Sequence, residues 1–395
     1  MTTAYHRPTV FAAACVGMLL FGVTTVSLGT INAHLSVTFA LNQLAVGSLA
    51  ALLPFGILSG SLVFGPVVDR YGYRFPMIGS ALMILAGFET IAFTDRFLLI
   101  QLSFFLIGLG GGILNGGTNA LVADISAEQK GASLSLLGVF FGIGALGMPG
   151  LTGLLLHRAP FEVIISGLGL TVLIPVLVFA LIALPPPKQA QGLPFAESLR
   201  LLSDPVLLLF GLVLFFQSGL EGMTNNWATA YLQGFVRLPV AHSLMALTAM
   251  AASLTIARLA LGGLLKSLRP APVVIGSLAF TFAGILLLAW TTSAAAAAVA
   301  MALIGIGFAP VFPVVLAFIA ERFAALSGTA FGIALVIALA GNTALNYLVG
   351  IVVQNAGLSA YPSIMLGAAC FLLVILFMAL RRHAACPLPK ETIVP

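Results

Sequence analysis

Phe215–Leu232 reads FFQSGLEGMTNNWATAYL and sets a glutamine, a carboxylate and two asparagines inside a long apolar run. Side chains four apart share a helix face, so Gln217, Glu221 and Asn225 form one stripe, with Thr224 beside it and Asn226 and Trp227 at its end. Two other apolar runs carry amides at the same spacing: Asn115 and Asn119 in GGGILNGGTNALVAD, and Asn342 and Asn346 in ALAGNTALNYLVG. Polar groups are expensive in hydrocarbon and face a bundle interior or a water-filled cavity there. Amides can instead join helices, at about 1 kcal/mol or less each, but three stripes together point to one wet cavity. An amide donates and accepts at once, which suits the hydroxyls of a neutral polyol. Trp227, Phe312, Tyr347 and Tyr231 offer flat faces to the apolar side of a sugar ring. Arg258 falls near the end of its apolar run and no other cation falls midway along one, so an anion is not the expected ligand.

Glu221 lies about twelve residues, roughly 18 Å, from the nearer end of its run. Burial at that depth disfavours a charged carboxylate, which makes Glu221 a candidate carrier of a coupling proton; coordinating sodium and hydrogen-bonding the sugar are the alternatives. Glu89, six residues before Asp95, is shallow enough to be solvated. Gly219 and Gly222 flank Glu221 and loosen its helix where a transport cycle would bend it; Pro310 and Pro313 do the same in another run.

The elements that position these groups must cross a membrane. The chain has 395 residues, 61% of them hydrophobic and only 7% charged, with a mean hydropathy of +1.16, which a soluble domain of this length does not show. Taking roughly 20 apolar residues per crossing, twelve spans are expected near 9–30, 43–65, 76–94, 99–123, 132–155, 161–184, 206–232, 241–264, 272–291, 294–320, 328–352 and 361–380. The first is too long for a cleaved signal sequence and is followed by eleven more. With the N-terminus inside, thirteen Lys and Arg fall on that side against Arg96, Arg158 and Arg237 outside, so both termini are expected in the cytoplasm. The longest loop, within 185–205, separates an N-terminal bundle, 1–184, from a C-terminal bundle with a short tail, 206–395. Sliding one half over the other by about 197 residues sets Gly22 on Gly219 and aligns the glycine-rich spans 4 and 10. The fold class is therefore all-α, with twelve transmembrane helices in two pseudo-symmetric six-helix bundles.

Several classes fall away. Cys15, Cys370 and Cys386 lack paired spacing, so no disulfide framework, metal site or other cofactor is expected. The basic residues are scattered over short loops, unlike a nucleic-acid interface. The five histidines lie near helix ends or tails and no nucleophile–histidine–acid set appears, which argues against an enzyme.

After span 2 comes GPVVDRYGYR, with Gly65, Asp69, Arg70, Gly72 and Arg74 in the pattern G-x-x-x-D-R-x-G-x-R. This resembles the loop between spans 2 and 3 of the major facilitator superfamily. The resemblance implies that Asp69 sits against a helix N-terminus in the other half and holds a cytoplasmic gate shut, a place the helix dipole favours for a carboxylate. The second copy, ARLALGGLLKSLRP, keeps Arg258, Gly262 and Arg269 but has Lys266 where an acid is expected. Span 5 carries Gly138, Gly142, Gly147, Gly150 and Gly153, read mainly as close packing. GLEGMTNNWATAYL in span 7 and GIGFAPVFPVVLAFIAER in span 10 are similar to the fucose and glucose permease branch, although span 1 lacks the carboxylate that some members have there. The resemblance implies import of a neutral, hexose-like sugar with a proton or sodium ion by alternating access, the two halves rocking around a midplane site. It also implies a monomer in a bacterial inner membrane, with sugar, coupling cation and lipid as its partners. The competing reading is a proton-driven efflux antiporter for small amphipathic compounds.

Overall fold

The computed structural model describes residues 5–41, 43–126, 129–155, 158–186 and 200–385. The interior of the proposed linker, residues 187–199, and the tail beyond residue 385 lie outside them. Among the described residues every regular element is a helix, and twelve are long and apolar enough to cross a bilayer. These spans are Arg7–Leu28, Ala51–Tyr71, Arg74–Phe93, Phe97–Ile125, Lys130–Met148, Phe161–Leu181, Pro205–Gly234, Val240–Leu264, Pro270–Ala289, Ala294–Arg322, Ala324–Ala356 and Leu358–Ala385, numbered 1 to 12 below. Helices are what hydrocarbon permits, because each backbone donor and acceptor finds its partner within its own segment. Span 10 is broken into Ala294–Phe308 and Val311–Arg322 around Pro310, as the prolines of its sequence led us to expect.

The chain packs as two compact units. The first comprises Met1–Ala127, Phe140–Ser198 and Ala325–Gly332; the second comprises Glu128–Val139, Leu199–Ala324 and Ile333–Pro395. Each therefore takes a short helical segment from the other half of the sequence: the start of span 5 belongs to the second unit and residues 325–332 of span 11 to the first.

Inside each unit the helices meet backbone to backbone at glycine. A methyl group on Gly108 of span 4 would lie 2.2 Å from the Leu53 carbonyl oxygen of span 2, and one on Gly305 of span 10 would lie 2.3 Å from that of Met250 in span 8. Gly110 faces the Ser80 carbonyl as Gly307 faces that of Ser277, and Gly87 meets Ile107 as Gly284 meets Ile304. Between spans 1 and 5, a methyl group on Gly144 would lie 2.0 Å from the Leu19 carbonyl oxygen; between spans 7 and 11, one on Gly341 would lie 2.1 Å from that of Phe215. All of these glycines and most of their partners stand 197 residues apart, so the repeat that is faint in sequence is sharp in packing. Lipid tails are as apolar as leucine, and close approach of small residues is what holds such helices together. Among the described glycines of span 5 the tightest approach belongs to Gly144; a side chain on Gly147 would meet nothing within 4 Å, so that glycine is not a packing contact.

Gly144→Ala and Gly341→Ala should each destabilise by about 1–3 kcal/mol through overpacking. Gly79→Ala, where an added methyl group meets nothing, should be neutral or stabilising by about 0.5–1 kcal/mol. Thermal unfolding in detergent, followed by size-exclusion of the fluorescent protein, checks the order.

Candidate functional site

Span 7 begins under Asp204, whose carboxylate accepts from the Val206 and Leu207 amides and caps the helix, with Pro205 in the first turn. Thirty helical residues follow, and they carry the polar stripe to midspan; Glu221 stands thirteen residues, about 20 Å, from the Gly234 end. Gln217 is buried and donates at 3.5 Å to the Phe308 carbonyl, beside the break in span 10, while its Oε1 has no partner. The Glu221 carboxylate is partly exposed and accepts no hydrogen bond among the described residues. Asn225 is exposed and donates back to the Glu221 carbonyl at 2.9 Å.

Span 11 lies against this stripe because glycine lets it. Gly341 meets the Phe215 backbone, and a methyl group on Gly222 would strike the Asn342 amide at 2.5 Å. Asn346 donates to the Asn342 carbonyl at 2.8 Å and to its Oδ1 at 3.0 Å, and its own Oδ1 accepts from Asn226 at 3.0 Å. Trp227 faces Gly350, where an added methyl group would stand 3.6 Å from the indole edge. The second unit thus brings Gln217, Glu221, Asn225, Asn226, Trp227, Asn342 and Asn346 onto two adjoining helices. Phe312 lies in the same unit, half-buried at the start of the second segment of span 10. Of the other aromatic candidates, Tyr231 is committed to structure, buried and donating to the Leu288 carbonyl at 3.3 Å, and Tyr347 is 73% exposed. A separate cavity of about 650 Å³ between spans 8, 9 and 10 is lined by residues such as Ala260, Val273 and Phe280 and holds none of the stripe.

The sequence discounted one residue that the structure brings forward. Arg258 is only 7% exposed. Its Nε has no partner and its guanidinium donates no hydrogen bond among the described residues. Its aliphatic stem and Nη1 lie over Gly138 of span 5, where a methyl group would come within 3.2 Å of Cδ, and its carbonyl accepts from Ser135 at 2.6 Å.

In the first unit Asn119 donates to the Asn115 carbonyl at 2.8 Å and to its Oδ1 at 3.1 Å, the same arrangement as Asn346 and Asn342. Glu89 accepts from Ser166 of span 6 at 2.8 Å and its Oε1 is buried against Gly169, so this part-buried carboxylate makes a structural contact between spans.

The G-x-x-x-D-R-x-G-x-R segment is also fully placed. A methyl group on Gly65 would come within 2.7 Å of the Gly328 and Thr329 backbone. Asp69 is buried and accepts from the Gly328 amide at 3.3 Å, the Thr329 amide at 2.9 Å and the Thr329 hydroxyl at 2.7 Å, at the N-terminus of the long helix of span 11. Gly72, at φ 74°, ends the second helix in the left-handed conformation. Arg70 lies over the Tyr71 ring and Arg74 donates to the Ile182 carbonyl at 2.7 Å. Tyr73 donates to Asp124, which also accepts from Ser327 at 2.9 Å. Burial first, then the Asp124 charge, pushes the Tyr73 phenol well above the ordinary tyrosine range, so it remains a donor at any physiological pH. No three His, Cys, Asp or Glu among the described residues are grouped so as to hold a metal ion.

Twelve apolar helices in two repeated units, with a carboxylate and paired amides at midspan, define a polytopic membrane transporter. The model of the Major Facilitator Superfamily matches residues 10–345, and the chain belongs to that superfamily. Among curated proteins it is similar to the 4-hydroxybenzoate transporter PcaK of Pseudomonas putida, 28% identical over 137 residues that make up 34% of this chain and 29% of that one. It is likewise similar to the multidrug resistance protein MdtH of Aeromonas salmonicida, 34% identical over 138 residues, 34% of this chain and 33% of that one. Each match thus spans no more than about a third of the relative. Among solved structures it is similar to the transporter FucP in the outward conformation, with a TM-score of 0.78 and 17% identity over 93% of this chain and 98% of that one. The proton:xylose symporter XylE gives a TM-score of 0.78 and 15% identity over 96% of each chain. At such identities these two likenesses establish the fold.

Asp69→Asn keeps the shape and removes the charge from three hydrogen bonds. Hydrogen bonds to charged groups contribute about 1.5–3 kcal/mol, so the variant should lose at least about that much in thermal unfolding, and Thr329→Val should lose less because both backbone donors remain.

Proposed function

We propose that the chain is a secondary transporter that imports a hexose-like sugar by alternating access, driven by a proton or sodium gradient, from a bacterial inner membrane with both termini in the cytoplasm. The observation that carries this reading is the stripe of spans 7 and 11, a carboxylate and five amides held at midspan in helices that are otherwise apolar. Such groups are functional by default at that depth, and amides that donate and accept match sugar hydroxyls. The fold likeness to FucP and XylE, named for fucose and xylose symport, supports it. In this reading Gln217, Asn225, Asn226, Trp227, Asn342, Asn346 and Phe312 bind the sugar; Asn115 and Asn119 are the matching candidates within the first unit. Glu221, partly exposed and free of hydrogen bonds among the described residues, takes the coupling ion. Gly65, Asp69, Arg70, Gly72 and Arg74 gate, the Asp69 contacts breaking and re-forming with each cycle. Similarity to MdtH keeps efflux as the reading to be displaced.

Proteoliposomes with an imposed pH or sodium gradient, offered a panel of labelled sugars and sugar derivatives, test the proposal. The native protein should concentrate a sugar against its gradient, and Glu221→Gln should equilibrate it without accumulation. No uptake of any panel member under either gradient, by protein shown to be folded, would favour efflux.

A further inference from the structure

We propose that Arg258 is the docking point for a carboxylate on the transported solute, so that the substrate is a sugar acid and not a neutral hexose. The polyol part of this statement rests on the sugar reading above; the anionic part does not.

The guanidinium carries five donors, is 7% exposed and uses none of them among the described residues. A buried cation left without hydrogen bonds is costly, and the cost is met when an anion arrives with two oxygens in the plane of the fork. Glu221 belongs to the same unit, and no hydrogen bond joins it to Arg258 among the described residues. Gly138 keeps the floor beneath it clear, since a methyl group there would stand 3.3 Å from Nη1.

The internal repeat supplies a control. At the positions 197 residues earlier, Ser61 stands for Arg258 and Thr24 for Glu221. Ser61 occupies the matching helix crossing, its carbonyl oxygen 2.9 Å from a methyl group placed on Gly332, which is the counterpart of Ser135. Thr24 is buried and donates to the Phe21 carbonyl. One unit therefore builds these helix crossings with two small hydroxyl residues. The carboxylate and the guanidinium of the other unit are additions that its packing does not require. One guanidinium balances one carboxylate at a time, so a ligand anion seated on Arg258 leaves Glu221 to be neutralised by the coupling cation, and the two solutes enter together.

The test is uptake by the full chain in proteoliposomes of matched pairs, galactose with galacturonate and glucose with glucuronate, and of benzoate and lactate as anions without a polyol. Native protein should carry a uronate at least ten-fold faster than its parent hexose. Arg258→Gln should lose that preference, and Arg258→Lys, which keeps the charge but not the fork, should retain only part of it. Should Arg258→Gln fail to fold, Gly138→Ala, which displaces the guanidinium and keeps its charge, should reduce uronate uptake in its place. Hexose uptake without uronate uptake, or a uronate preference untouched by the Arg258 substitutions, overturns the inference and leaves the sugar reading standing. Arg258-dependent uptake of benzoate or lactate with no sugar or uronate carried upholds the anion site and removes the sugar reading. Folded protein that neither binds nor carries any of these anions overturns it.

Discussion

Helices in a bilayer gain little by hiding apolar side chains from lipid, so they are held by how closely their backbones approach, and that approach depends on glycine. Gly108 against Leu53, Gly144 against Leu19 and their counterparts in the second unit leave no room for even a methyl group. These contacts fix the spacing of the spans, and the spacing decides which polar side chains meet. Gly222 is the clearest case: a side chain there would fill the space that the Asn342 amide occupies.

The two units use the same scaffold and differ in what they mount on it. Asp69 of the first places a carboxylate at the N-terminus of a helix, where the dipole favours it. The equivalent residue of the second is Lys266, whose charge such an end repels. The second unit makes its bond elsewhere: Lys130 donates to the Ala320 carbonyl at 3.3 Å, in the last turn of span 10, where a cation suits the dipole. Glu321 lies 197 residues after Asp124 and Lys130 lies 197 before Ser327, so residues of opposite charge hold the positions where the first unit has a hydroxyl bonded to a carboxylate. The symmetry of the packing is kept and the symmetry of the charges is not.

Much of this was legible in the sequence because hydrocarbon imposes strict rules on it. Span number and class followed from run length, and the midspan stripe followed from residues spaced by four. The repeat was barely legible, since glycines recur throughout such a chain and only the partner carbonyls show which ones interlock; Gly144 was passed over and Gly147 was credited with packing. Arg258 was set aside for its position along the helix. Distance from a helix end measures depth, however, while the neighbours decide burial, and Gly138 and Ser135 lie more than a hundred residues away in the chain. Glu89 was set apart from the coupling role, but its partner Ser166 is invisible to any local reading.

The central claim is that the midspan polar groups are kept for a ligand and not for the fold. Replacing Gln217 by Met and Asn225 by Leu in one chain tests it, with thermal unfolding and solute uptake measured on the same preparation. Polar groups kept for function are stability liabilities, so the account predicts an unfolding midpoint equal to or above that of the native protein, together with lost uptake. A midpoint well below the native one, with uptake per folded molecule unchanged, would show that these amides hold the helices together and would contradict the account.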